Sequence, residues 1–290
     1  PPIGISFVTP PTPADDTTTP NTSVEILASI IRANLDEVTY NWDGANYTMY
    51  DNSLVLMMNF DNVSALGEND SVVRDFSGYG NDGTIIGAGW TSNGKYGSAM
   101  SFDGVDDYIE FGDILDLGLN DLSISVWVKY NGVQLDFWDG RYAGIIGKSY
   151  LDNTTGYGLH TSNEGLSFQV RNGEAIESIE SNGLLNDSLW HHVVVTLDRD
   201  NSNGLLMYVD GIKQTDFEDP TPLSAVNIAS GDTFAIGSRE TYSSYNFDYK
   251  GDIDEPMVLF RALTDAEINQ LYMTNLYKYD TDKWALHVNQ

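Results

Sequence analysis

The sequence predicts an all-β chain of the sandwich or jelly-roll type. Short runs rich in Val, Ile, Tyr and Trp recur at roughly ten-residue spacing from residue 54 to about residue 260. Asp-Gly and Asn-Gly pairs punctuate them, at Asp82-Gly83, Asp103-Gly104, Asn172-Gly173 and Asp210-Gly211, and such pairs adopt the positive φ that tight hairpin turns require. Only one stretch reads as helix, so the crossover helices of a parallel βαβ sheet are missing.

Taken in order, Ile3 to Val8 reads as a strand. The Pro/Thr-rich stretch from Thr9 to Pro20 ends it, because proline removes ladder donors. Val24 to Ile31 alternates as a second strand. Val38 to Trp42 and Asn46 to Tyr50 flank Asp43-Gly44, a hairpin signature. Leu54 to Asp61 reads as a buried strand. Further strands are expected at Ser123 to Lys129, Gly144 to Gly147, Tyr157 to His160, Leu166 to Val170, His191 to Asp198, Leu205 to Val209 and Thr233 to Ile236. Thr264-Asp265-Ala266-Glu267 is a capping box, in which the Thr oxygen and the Glu carboxylate satisfy amides that a helix start leaves unpaired. Ile268, Leu271 and Tyr272 then share a face, so one short helix follows. Leu276 to Tyr279 and Trp284 to Val288 are the last two strands.

The chain has 290 residues, 41% of them apolar, which supports a real core and excludes wholesale disorder. Its 43 acidic against 14 basic residues give a formal charge of −29. That balance argues against nucleic acid as the default partner, since phosphate binding needs a basic face, and it favours cations. The absence of cysteine excludes a disulfide framework, a thiolate metal site and a cysteine nucleophile. No apolar run reaches the length of about eighteen residues that a membrane span needs. The Pro1-Pro2-Ile3-Gly4 start carries no secretory leader, as expected of a processed product or a piece of something longer.

A family resemblance rests on motifs in a fixed order. Leu54-Val55-Leu56 with Asn59-Phe60-Asp61 comes first, then Asp75-Phe76-Ser77-Gly78-Tyr79-Gly80-Asn81-Asp82-Gly83, an Asp-x-Ser-Gly-x-Gly-Asn-x-Gly loop. Ser101-Phe102-Asp103-Gly104 precedes Asp107-Tyr108-Ile109, and Ser123 to Lys129 carries Trp127. Trp190-His191-His192-Val193, Tyr208-Val209-Asp210-Gly211 and Gly251-Asp252-Ile253-Asp254-Glu255 with Arg261-Ala262-Leu263-Thr264 complete the series. Together they resemble the laminin-G-like jelly rolls of the concanavalin A-like lectin/glucanase superfamily. That fold serves many functions, so the resemblance implies architecture more than ligand. The flanks look like parts of an immunoglobulin-like module of microbial surface proteins. The expected organisation is therefore residues 1–52 as the first part of that module, 53–273 as the jelly roll, and 274–290 as strands returning to the module. Insertion at an exposed loop is physically cheap. Strands absent from the module would come from a neighbour by β-augmentation.

The resemblance implies a Ca²⁺ site in which Asp75 and Asp254 supply carboxylates and Asn81 or nearby carbonyls complete the shell, since hard oxygen donors suit this ion. The alternative is that Asp75 caps a turn and Asp254 bonds an amide. Asp103, Asp106 and Asp107 form a second acidic loop with the same two readings. Asp198 to Gly204 is near a calcium-loop pattern, but its glycine is misplaced for an EF-hand, which favours a hairpin loop. His191 and His192 are adjacent on a strand and point to opposite faces, so they cannot share a metal. No Gly-x-Ser-x-Gly elbow exists, and Glu174, Glu177 and Glu180 are spaced by three, which scatters them across both faces of a strand. Aromatics in loop-rich stretches, above all Trp138, Tyr142 and Tyr245, are candidate ligand contacts; the alternative is that they cover sheet edges or pack under loops. Six N-x-S/T sequons, at Asn21, Asn46, Asn62, Asn69, Asn153 and Asn186, give mild support for an exported protein.

The expected function is a non-catalytic extracellular or cell-surface adhesion module that binds glycan or protein, with Ca²⁺ rigidifying its loops. One alternative is a structural repeat of a surface layer or filament, joined to neighbouring copies through edge strands. Another is a glycan-active hydrolase.

Overall fold

The computed structural model describes residues 4–14, 18, 23–131, 143–148, 154–162, 165–173, 175–181, 183, 185, 187–237 and 248–289. Among these residues, two eight-stranded sheets share one core, and a four-stranded flank sheet with a separate hairpin packs on the outer side of the second. The chain is an all-β jelly-roll sandwich carrying one short α-helix, Asp265–Met273.

In spatial order the first sheet runs Ala175–Glu180, Leu166–Asn172, Thr155–Thr161, Gly144–Lys148, Phe234–Ile236, Tyr108–Glu110, Gly83–Ile86 and Val72–Val73. The second runs Ile212–Lys213, Leu205–Val209, His191–Leu197, Leu122–Tyr130, Lys250–Leu259, Ala99–Asp103 and Gly89–Thr91. Leu54–Met57 pairs with the far end of Lys250–Leu259.

The second sheet is a middle layer, so it needs apolar side chains on both faces. Period-two alternation delivers them. Leu122, Ile124, Val126 and Val128 enter the main core, while Ser123, Ser125 and Trp127 point the other way. On the neighbouring strand Val193, Val195 and Leu197 enter the main core and Val194 enters the second.

The flank sheet has the order Gly4–Phe7, Glu25–Ile31, Lys283–Asn289, Thr274–Asp280. The segments before and after the jelly roll therefore pair directly, from Glu25 opposite Asn289 to Ile31 opposite Lys283. Ala28, Ile30, Trp284, Leu286 and Val288 on one face join Leu54, Met57, Val194, Met257 and Leu259 of the middle sheet. Ile268 and Leu271 of the helix complete this second core. The helix starts at the expected capping box, where Thr264 N–H donates to Glu267 Oε2 at 2.9 Å and Thr264 Oγ1 accepts from Glu267 N–H at 3.3 Å.

The strand expected to run from Leu54 to Asp61 stops at Met57. Met58 N–H still reaches Pro256 O at 3.1 Å, but Phe60 and Asn62 take left-handed φ of 54° and turn the chain away. A β-bulge lies opposite. Ser125 pairs with Met257 and Trp127 with Asp254, which leaves an extra residue on the longer strand and Glu255 at φ 49°. Bulges of this kind re-aim a side chain, and here consecutive acids, Asp254 and Glu255, are both buried.

Trp284 is 1% exposed and sits edge-on to Tyr50 and Phe76, with centroids at 5.8 and 6.3 Å. It locks the flank sheet to the jelly roll. Trp284→Ala is expected to cost about 3–5 kcal/mol through lost burial and a residual cavity, measured as a lowered midpoint in urea unfolding.

Candidate functional site

Asp75 organises its own loop. Its Oδ1 accepts from the amides of Met57 at 3.0 Å and Ser77 at 2.8 Å, and its Oδ2 accepts from Ser77 Oγ and Asn81 N–H, both at 2.8 Å. Asn81 Nδ2 donates to Val55 O at 2.9 Å. Asp254 is fully buried, and its oxygens accept from the amides of Tyr96 and Glu255, both at 3.0 Å. The Asp75 and Asp254 carboxylates thus have separate sets of hydrogen-bond partners. Trp138, Tyr142 and Tyr245, and the sequons at Asn21, Asn153 and Asn186, lie outside the described residues. Asn46, Asn62 and Asn69 are exposed.

The carboxylate oxygens of Asp103, Asp106 and Asp107 lie within 4.8 Å of one another. Asp107 Oδ2 also accepts from Asp103 N–H at 2.8 Å, and Val105 N–H donates to Asp103 Oδ1 at 2.8 Å, so the turn is hydrogen-bonded internally. Burial, with the charges of Asp103 and Asp106, raises the pKa of Asp107. These three side chains offer the hard oxygens a divalent cation takes. Asp198 to Gly204 closes as a hairpin loop, with Asp198 N–H on Gly204 O at 2.9 Å.

One Ser–His pair is present. Ser125 Oγ and His192 Nε2 are 2.8 Å apart, and both residues are buried. Among the described residues His192 Nδ1 has no hydrogen-bond partner, and desolvation pushes this imidazole down to about 3, far below what a general base needs. The adjoining void of about 20 Å³ holds no more than a water. Trp127 lies tilted against His192 at 4.9 Å and stacks on Tyr272 at 5.7 Å, a packing arrangement. His191 instead bonds Asp210 at 2.7 Å and Asp187 at 3.1 Å, on the opposite face as its position on the strand predicts.

The open site lies where the jelly roll meets the flank sheet. Cross-strand register sets Leu27, His287 and Asn275 side by side on the face away from the second core. Glu25 and Tyr277 flank them on that same face, by period-two alternation. Opposite stand Asp61, Tyr96 and Gly97 of the jelly roll, and the crevice between has a volume of about 300 Å³. Gly97 is required here: at φ +53° a Cβ would lie 1.9 Å from Asp61 Oδ1. Behind the crevice, Glu255 accepts from Asn275 Nδ2 at 3.0 Å and Asn59 Nδ2 at 3.2 Å. Desolvation raises the pKa of Asp61, Asp254 and Glu255, and the charge of Asp61 adds to the shift at the other two. Glu25 is paired with His287 at 2.8 Å. Sequence reasoning missed this crevice. Its parts come from three separate stretches of the chain, around residues 25, 61–97 and 275–287, and only the Asp254-Glu255 motif was visible as a signal.

The class these strands define is shared with known proteins. A family model for the concanavalin A-like lectin/glucanases superfamily, of its third laminin-G type, matches residues 103–269, and the chain belongs to that family. Comparison with curated proteins gives no match. Among solved structures, the chain is similar to the binding domain of Paraclostridial mosquitocidal protein 1, at TM-score 0.59 and 17% identity, covering 78% of this chain and 54% of that one. It is also similar to domain 4 of AbnA, a GH43 extracellular arabinanase from Geobacillus stearothermophilus solved with arabinotriose, at TM-score 0.54 and 18% identity, covering 75% and 97%. A third is the binding domain of botulinum neurotoxin DC in complex with rat synaptotagmin II, at TM-score 0.55 and 16% identity, covering 76% and 51%. The chain spans about half the length of the toxin binding domains. At these identities the likeness establishes the fold.

Glu68 provides a pH test of the region around Asp61. It is 2% exposed, its Oε2 accepts from Val63 N–H at 2.8 Å, and desolvation pushes it up to about 7. A raised carboxylate stabilises the fold fully below its unfolded value near 4.5, and that contribution is lost as pH rises through about 7. Glu68→Gln is expected to gain relative to the parent chain between pH 5 and pH 8, by roughly 3 kcal/mol at most, read as the difference in melting temperature at each pH.

Proposed function

We propose that this chain is a non-catalytic recognition module that works outside the cell and binds a glycan. The observation that carries this reading is the junction crevice. There, acceptor oxygens and tyrosine rings face open space, whereas the Ser125–His192 pair is sealed in the core. Two supports are coarser. The chain has the fold of toxin binding domains and of a domain solved with arabinotriose. No helix among the described residues is long and apolar enough to cross a membrane. A glycan array probed with purified protein tests the reading: binding without turnover is expected, and release of product from any bound glycan would overturn it.

Calcium enters as a structural ion, and the turn of Asp103, Asp106 and Asp107 has the donors to take it. Bound only to the folded state, such an ion stabilises by about 2.7 kcal/mol at a hundredfold excess over its dissociation constant. Millimolar Ca²⁺ is therefore expected to raise the melting temperature over that in chelator, and Asp106→Asn to abolish the rise. Equal melting with and without Ca²⁺ removes the ion from this account.

A second reading, a surface-layer or filament unit joined through strands, is favoured by one surface. Gly4–Phe7 is an edge strand on which Ile5 and Phe7 are 67% and 68% exposed. Both line an apolar cleft of about 300 Å³ with Ile26, Val38, Tyr40 and Trp42. Concentration-dependent assembly in sedimentation, with no array binding, would select this reading over the first.

A further inference from the structure

We infer that the crevice between Tyr96-Gly97 and the flank sheet is a subsite for an amino sugar, a ring that brings both hydroxyl donors and a primary ammonium group. This rests on the glycan-binding reading and names the ligand class for the site. The argument begins with unmet acceptors. Asn275 is 6% exposed and its Nδ2 is committed to Glu255, yet its Oδ1 accepts no hydrogen bond among the described residues. Asp61 Oδ1 accepts from Ser98 N–H at 3.1 Å, while its Oδ2 has no partner among the described residues. Both residues line the crevice. A ligand rich in N–H and O–H groups can donate to these acceptors in place of water.

Charge selects the ligand class further. Asp61 and Glu25 line the space, and no Lys or Arg is among the lining residues. The lysines that adjoin the lining tyrosines are held elsewhere: Lys95 Nζ lies 3.9 Å over the Trp127 ring, and Lys278 Nζ donates to Ala33 O at 2.6 Å. The one group on the wall that can become cationic, His287, already bonds Glu25. An anionic sugar would meet this field unfavourably and an ammonium favourably. Tyr96 and Tyr277 add aromatic rings, the kind of group that attracts a cation and covers the apolar side of a sugar. A volume of about 300 Å³ sits at the small end of ligand pockets, suited to one ring. Neither Asp61 nor Asn275 falls within the family-matched residues, so the site belongs to this chain's combination of jelly roll and flank.

The test is titration calorimetry of the whole chain with glucosamine oligomers, their N-acetylated counterparts, a neutral glucan and a uronic-acid oligomer. Glucosamine oligomers are expected to bind at least tenfold more tightly than the N-acetylated series, and to weaken as salt rises. Asp61→Asn and Tyr277→Leu are each expected to reduce that binding at least tenfold, with melting temperature and circular dichroism reported for both. As a second measurement, the side-chain amide signal of Asn275 in the parent chain is expected to shift on titration. Equal affinity for acetylated and free amines, or equal binding by free lysine, overturns the amino-sugar assignment. Glycan binding that neither folded variant alters and that leaves the Asn275 signal in place overturns the site while the recognition reading stands. No binding by any glycan on a broad array overturns both.

Discussion

The seven-residue ladder between Glu25–Ile31 and Lys283–Asn289 is the constraint on which the rest depends. It joins segments some 250 positions apart and fixes which side chains face which way. On one face it delivers Trp284, Leu286 and Val288 to the second core. On the other it aligns Leu27, His287 and Asn275 as a wall of the crevice. A one-residue slip would exchange these faces, putting His287 into the core and Trp284 toward the crevice. Core and crevice are therefore two products of one register.

Without cysteine, the loops are held by charged groups bonded to backbone. Asp75 gathers Met57, Ser77 and Asn81 around one carboxylate. Arg199, 1% exposed, spreads its guanidinium over the carbonyls of Gly118, Leu223 and Val226. Lys148, equally buried, bridges Asp113 at 2.5 Å and Asp116 at 2.7 Å. The buried charges of Arg199 and Lys148 each have several hydrogen-bond partners, which is the condition under which burial is tolerated. The acids behind the crevice are the contrast. Among the described residues Asp254 and Glu255 have amide donors but no paired cation, and burial leaves both with raised pKa values.

Much of the fold was legible because its signals are local. Alternation in Leu122–Tyr130, turn pairs such as Asp210-Gly211, and the capping box at Thr264 each act within a few residues. The strand expected through Asp61 stops at Met57, ahead of the left-handed φ at Phe60 that no apolar run announces. The bulge at Glu255 was equally silent, since it is defined only against Trp127 on another strand. The site was less legible than the fold. Asp254 stood out through its motif, but its neighbours Tyr96, Asn275 and Tyr277 come together only through long-range pairing. For Asp75 the sequence leaves two roles open, because a loop-capping carboxylate and a metal-binding one use the same residue in the same kind of loop.

The flank sheet also sets how the chain carries tension. Gly4 lies beside Ile31 at one end of the sheet, and Asn289 lies beside Glu25 at the other. A pull applied through Gly4 and Asn289 therefore drags the strands lengthwise past one another, and the rungs between them share the load. A pull through Glu25 and Asn289 instead opens the ladder from a single end, one rung at a time. Whether this sheet behaves as a rope clamp or as a zipper is decided by four residues, Gly4–Phe7, that add almost nothing to the core.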